Sequence, residues 1–215
     1  MVTKRTTILA DNLKKLYYDK AADLLFHGWH HIYLTARKAV EFAEEFPDVD
    51  KEVVEAAALT HDLNYVIETN TEPEVGEQLR AQYLANAGFG SKEISRIESL
   101  VLEAHIATRN ANISDAAKAL SDADSLFKVM PLTPVIFSSN YIVENNIDIH
   151  EWADKILTEQ IPLMDQGIYF YTKSANKKYL QWAKTDLELV KQVKESLEDP
   201  AIKEMLEIAY DLKVI

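Results

Sequence analysis

Apolar residues recur at intervals of three and four along most of the chain, which is the spacing of one face of an α-helix. Such stripes run through residues 32–46, 53–61, 79–87, 94–102 and 116–127. Typical boundary residues surround them: Pro47 and Gly88 follow helical stripes, and Ser91, Ser114 and the pair Asp199-Pro200 are typical of helix starts. The one β-like run, residues 168–171, is too short to build a sheet alone.

This pattern predicts an all-α fold of roughly nine to eleven helices. We expect one domain over residues 1–215, with a core at about 25–130 and a C-terminal helical extension at about 131–215. Residues 64–73 and 160–175 are the longest predicted loops, and loops of this kind often carry functional residues.

The amino-acid composition excludes several classes of binding partner and catalytic site. The chain has 35 acidic and 23 basic side chains, a net charge of −12, and no cysteine. An acidic surface argues against a nucleic acid polymer as partner, and the absence of cysteine excludes disulfides, thiolate metal sites and cysteine nucleophiles. No apolar run reaches the roughly 18 residues of a membrane span, so we expect a cytoplasmic protein that does not bind a membrane.

Histidine and aspartate side chains fall on the apolar faces of three predicted helices. His31 begins one stripe, His61 and Asp62 close another, and Asp122 and Asp124 lie in a third. Buried groups of this kind must be paired or bind a metal, because an unpaired buried charge is costly. Two imidazoles with two carboxylates suit one divalent ion, namely Mn, Fe, Co, Ni or Zn, and suit Mg less.

Three segments resemble the HD-domain metal-dependent phosphohydrolases. Residues 27–32 (HGWHHI), 55–62 (EAAALTHD) and 120–126 (LSDADSL) resemble the entry motif, the central His-Asp signature and the later Asp segment of that family. The resemblance covers about residues 25–130. It implies four ligands for one divalent ion: His31, His61, Asp62 and Asp124.

The resemblance also implies an activity. We expect hydrolysis of a phosphate ester or anhydride in a small, nucleotide-like molecule by a metal-activated water, with Asp62 orienting the water or taking its proton. His105 lies where many relatives keep a further histidine, so it can approach the metal, bind phosphate or donate a proton, or it simply closes a core helix. Tyr65 replaces a glutamate that some relatives use as an acid or base, and residues 63–75 contain no second-metal histidine.

A phosphorylated substrate needs cations in the site. Arg109 and Lys128 are preferred because each follows a site residue by four positions, which places it on the same helical face. Arg37 and Arg80 are further candidates, and Tyr65 can stack on a base or sugar. The alternative for each of these basic side chains is that it is a solvated surface charge with no role in binding.

Two other classes of function stay open. A non-catalytic HD module would bind a ligand or a protein partner, although such modules usually lack one of the four metal residues. A di-iron oxygenase would need at least one extra histidine. An exposed aromatic segment late in the chain suggests a possible homodimer.

Overall fold

Helices account for all regular structure in residues 1–214, the part of the chain that the computed structural model describes. Eleven α-helices lie within it: α1 (Lys4–Asp19), α2 (Trp29–Ala43), α3 (Lys51–Thr60), α4 (Leu63–Ile67), α5 (Glu77–Asn86), α6 (Ser91–Ala104), α7 (Asp115–Val129), α8 (Ser138–Asn145), α9 (Ile149–Asp165), α10 (Lys173–Ser196) and α11 (Pro200–Asp211). Short 3₁₀ turns at Pro73–Gly76 and Ile106–Thr108 and a π turn at Thr133–Phe137 complete them. The all-α prediction and its range of helix numbers are confirmed.

Helix starts follow local hydrogen-bonding chemistry. Ser114 caps α7 by accepting from the Ala117 N–H, and Asp199 caps α11, as the sequence predicted. The prediction of Ser91 as an N-cap is wrong. Gly90 occupies that position, and its N–H donates to the Glu93 side chain over 2.8 Å. The glutamate three residues later therefore defines this helix start.

The two predicted loops are shorter than expected. Residues 64–73 include most of α4, which buries Leu63 and Asn64, and residues 160–175 begin inside α9 and end inside α10. The extra helical turns are held by tertiary packing, which periodicity in a short segment does not reveal.

Small residues bring three central helices close together. α2 packs against both α3 and α7. Alanines from all three helices are fully buried at this junction: Ala36, Ala39, Ala56, Ala57, Ala58, Ala119 and Ala123. Because alanine side chains allow close backbone approach, short polar side chains on neighbouring helices can meet in the core.

The C-terminal extension contacts this core through the segment before α10. Residues Ile168, Tyr169 and Phe170 are buried there, and the Asp122 carboxylate accepts hydrogen bonds from the N–H groups of Tyr171 and Thr172, each over 2.7 Å. The β-like run is thus an apolar connection inserted into the core. The position of the domain division near residue 130 stays a prediction.

Within residues 1–214, no single helix combines the length and apolar character needed to cross a membrane. Residues 115–129 and 133–145 meet those criteria only as a pair, and the pair is bent by 64°.

Candidate metal centre

A helix start and a helix break position the first three candidate ligands. α2 begins immediately after Gly28, where an added Cβ would lie 2.6 Å from the Leu24 carbonyl oxygen, so glycine is required for this close approach. His31 follows in the first turn, and its side chain is fully buried. α3 ends at Thr60, so His61 and Asp62 occupy the break before α4.

Four ligand atoms converge between α2, α7 and that break. His31 Nε2 lies 3.1 Å from His61 Nε2, 3.0 Å from Asp62 Oδ2 and 3.5 Å from Asp124 Oδ1. His61 Nε2 lies 3.1 Å from Asp62 Oδ2 and 3.9 Å from Asp124 Oδ1. Ligand atoms about 2.1 Å from a single ion are about 3.0 to 3.4 Å apart. The spacing around His31 therefore fits one small divalent cation, with Asp124 slightly further out.

The hydrogen bonding of these groups also fits a cation. His61 Nδ1 donates to the Ala58 carbonyl oxygen over 2.8 Å, which leaves the lone pair of Nε2 directed at the cluster. Asp62 Oδ2 is buried and has no hydrogen-bond partner among the described residues. A buried carboxylate oxygen of this kind is costly unless a positive charge approaches it.

Burial and neighbouring charges shift the pKa values of these side chains. Burial lowers the pKa of the His31 imidazole, which keeps it neutral and able to donate a lone pair. Burial opposes a charge on His61, but the Asp62 and Asp124 carboxylates outweigh it and raise the pKa of His61. Burial would raise the pKa of Asp62, yet His61 and His31 hold it well below its usual range. Two anions facing two imidazoles thus form a negative site.

Asp124 is anchored by two cations that the sequence singled out for the substrate. Its Oδ2 lies 2.9 Å from Lys128 Nζ and 3.5 Å from Arg109 Nη2. Arg109 is buried, and it also donates to the Ser125 hydroxyl and to the carbonyl oxygens of Ser121 and Ala104. Arg109 is therefore engaged within the protein, whereas Lys128 has part of its surface exposed to the cavity.

A cavity of about 450 Å³ opens beside the cluster. Lining residues from the predicted site are His61, Asp62, Tyr65, His105, Arg109, Asp124 and Lys128. The structure therefore brings the predicted site residues together around the cluster and this cavity, except for Arg37 and Arg80. His31 lies behind the cavity wall, and Arg37 is exposed on α2 outside the lining.

His105 and Tyr65 both line this cavity. His105 lies at the end of α6, where burial and then Lys128 lower its pKa, and its Nδ1 is 3.6 Å from Glu72 Oε2. Tyr65 stacks on His27 with ring centroids 3.6 Å apart, and burial raises its pKa well above the usual value. His27 is itself hydrogen-bonded to the Glu144 carboxylate, so it is a neighbour of the site and not one of the converging ligands.

Two residues near the metal centre, Asp122 and Arg80, have structural roles that the sequence did not indicate. Asp122, which shares an apolar stripe with Asp124, does not join the cluster: its carboxylate accepts hydrogen bonds from Tyr171 and Thr172, and burial raises its pKa to about 6. Arg80 was considered for the substrate, but its fully buried guanidinium donates to the Thr60 and Pro73 carbonyl oxygens and pairs with Glu98. A single arginine in a helical stripe carries no signal for such a role.

A comparison with protein families finds a match in the part of the chain that contains the three motifs. The family model described as HD domain matches residues 28–128. No curated protein and no solved structure matches the chain significantly. All four converging side chains lie inside the matched segment.

Proposed function

Because the chain belongs to the HD-domain superfamily, we propose that it is a phosphohydrolase that cleaves a phosphate ester or anhydride of a small, nucleotide-like molecule with one bound divalent ion. HD domains generally belong to metal-dependent hydrolases. The observation that carries the proposal is the convergence of His31 Nε2, His61 Nε2 and Asp62 Oδ2, with Asp124 Oδ1 beside them.

The donor set indicates which ions fit. Two imidazole nitrogens with two carboxylates favour Mn, Fe, Co, Ni or Zn over Mg. When bound, such an ion lowers the pKa of a water molecule and polarises a phosphoryl oxygen. Within the described residues, one group of histidine and acidic side chains is close enough to share an ion, namely His31, His61 and Asp62, with Asp124 beside it. This supports a mononuclear site.

The chain's own residues supply the remaining steps. Asp62 Oδ1 accepts a proton from the attacking water, since Oδ2 faces the two imidazoles. Lys128 Nζ binds a phosphoryl oxygen at the cavity wall, and His105, which also lines the cavity, hydrogen-bonds the leaving group. Arg109 keeps Asp124 in place through the bonds described above and acts as a positioning residue.

Metal content tests the proposal directly. Protein purified without added metal, or reconstituted with Mn, Co or Zn, should contain about one ion per chain, and the His61→Ala variant should contain almost none. His150→Ala is the matched control because His150 is exposed at the start of α9. The loaded protein should then release phosphate from members of a nucleotide panel. A wild-type protein that takes up no ion from any of the three would overturn the proposal and favour a non-catalytic module.

A second prediction concerns Lys128. Lys128→Ala should raise the KM for a phosphorylated substrate by about tenfold or more, because a charge-assisted hydrogen bond to phosphate is lost. Lys118→Ala on the same helix is the control, since Lys118 pairs with Asp115 away from the cavity. Steady-state kinetics at matched metal occupancy makes the comparison. An unchanged KM would remove Lys128 from the binding site.

A further inference from the structure

The cavity extends well beyond the segment that matches the HD family. Part of its lining comes from α9 and from Asp186 of α10, which lie outside residues 28–128. Trp152, Ile156 and Leu163 of α9 supply apolar surface there, and Gln160 and Asp186 supply polar groups. Further polar residues of α9 and of the position just after it also line the cavity, namely Lys155, Thr158, Glu159 and Gln166. Gln160 and Asp186 are the polar residues of this wall that are buried. Buried polar groups beside apolar surface are typical of a pocket that orients one ligand.

Asp186 is a buried carboxylate without a protein partner. Its residue is 8% exposed, and within residues 1–214 it makes no hydrogen bond and no ion pair. Burial alone raises its pKa to about 6. A desolvated carboxylate that no protein group compensates destabilises the fold, and such groups are characteristic of functional sites. Its position in the cavity wall makes it an acceptor for donors on a ligand.

Gln160 provides the complementary donor. Its Oε1 accepts a hydrogen bond from the buried Tyr169 hydroxyl, which leaves the amide Nε2 to donate into the cavity. α9 and α10 pack against each other, and Lys194 near the end of α10 pairs with Asp154 near the start of α9. The two helices therefore run in opposite directions, which places Asp186 beside the later half of α9, where Gln160 lies. An acceptor therefore lies near a donor in this part of the cavity.

From this pairing, we propose that the part of the cavity lined by Gln160 and Asp186 binds the edge of an amino-substituted nucleobase. Asp186 accepts from the base N–H groups, and Gln160 Nε2 donates to the neighbouring ring nitrogen or carbonyl oxygen. An aliphatic amine would satisfy Asp186 but would leave Gln160 without an acceptor. This proposal rests on the proposed function, because it assumes that the phosphate end of the same molecule reaches Lys128.

Nucleoside binding tests the pocket without any catalytic step. The probes are two matched pairs, guanosine with inosine and cytidine with uridine, in which only the first member carries the amino group. Calorimetry on the metal-loaded wild-type protein should show tighter binding of at least one amino-bearing nucleoside than of its partner. Asp186→Asn should raise the Kd for that nucleoside by about tenfold or more and abolish the preference for the amino-bearing member. Glu188→Gln, an exposed change on the same helix, should alter neither.

The thermal stability of the Asp186 variants is the control for folding. Asp186→Asn and Asp186→Leu should keep or raise the Tm at pH 7, because each removes an unpaired buried charge. Equal binding of both members of each pair, or binding that Asp186→Asn leaves unchanged, would overturn the proposal. Asp186-dependent release of phosphate from ethanolamine phosphate, with no nucleoside bound, would also overturn it and assign an amine instead.

The two proposals can fail separately. Nucleoside binding that depends on Asp186, in a protein that releases no phosphate from any compound, would support the base pocket and overturn the hydrolase assignment. Phosphate release from ribose 5-phosphate and from nucleotides at equal efficiency would support the hydrolase and overturn the base pocket.

Discussion

Asp62→Ala is expected to lower the rate of phosphate release by at least about 10³-fold, because one side chain performs two tasks. Its Oδ2 lies 3.0 Å from His31 Nε2 and 3.1 Å from His61 Nε2, so these three atoms can bind the same cation. Its second oxygen is the proposed proton acceptor. Removing the carboxylate therefore weakens ion binding and removes the base together, and single-turnover kinetics with a metal titration measures both.

Matched variants separate chemistry from folding. Asp48→Ala removes an exposed carboxylate before α3 and should leave the rate unchanged. Thermal unfolding adds a second measurement, since an ion present at 100 times its Kd stabilises the wild-type protein by about 2.7 kcal/mol. That gain should be largely lost in Asp62→Ala. Phosphate release within tenfold of wild type would show that Asp62 is not the proton acceptor.

Arg80→Met is expected to lower the free energy of unfolding by about 3 to 5 kcal/mol, because it leaves a charge and several carbonyl groups without partners. The guanidinium is fully buried and lies 2.5 Å from Glu98 Oε2, 2.8 Å from the Thr60 oxygen and 2.7 Å from the Pro73 oxygen. Urea denaturation of the wild type and variant gives the difference directly.

The site should respond to the same change. Arg80 Nη1 also lies 3.3 Å from the His61 carbonyl oxygen, so it holds the break between α3 and α4 from which His61 and Asp62 project. Folded Arg80→Met should therefore bind metal more weakly. Arg96→Met is the control, because Arg96 pairs with Asp50 at the exposed surface. Adding Glu98→Met should recover part of the lost stability by removing the orphaned charge. A loss below about 1 kcal/mol in Arg80→Met would contradict this account.

The sequence predicted the location of His61 and Asp62 in the site but not the role of Arg109. His61 and Asp62 were identified because they end an apolar helix, where buried polar groups need partners. Arg109 was predicted from its helical spacing to face the substrate, yet it bonds to Asp124, Ser121 and Ser125. A spacing of four residues places two side chains on one face only within a single helix, and α6 ends at Ala104, so His105 and Arg109 do not share a helical face.

The sequence by itself determined the all-α class, most helix boundaries, the family and the four candidate ligands, because these depend on periodicity, capping residues and short motifs. Only the tertiary structure decided that Asp122 anchors the segment before α10, that Arg80 holds the helix break, and that Asp186 lines the cavity without a partner. Asp186 and Gln160 lie outside any motif, and their helices face the metal centre only after the C-terminal extension packs on the core. Such relationships join residues distant in sequence, and burial and hydrogen-bond partners are properties of that packing.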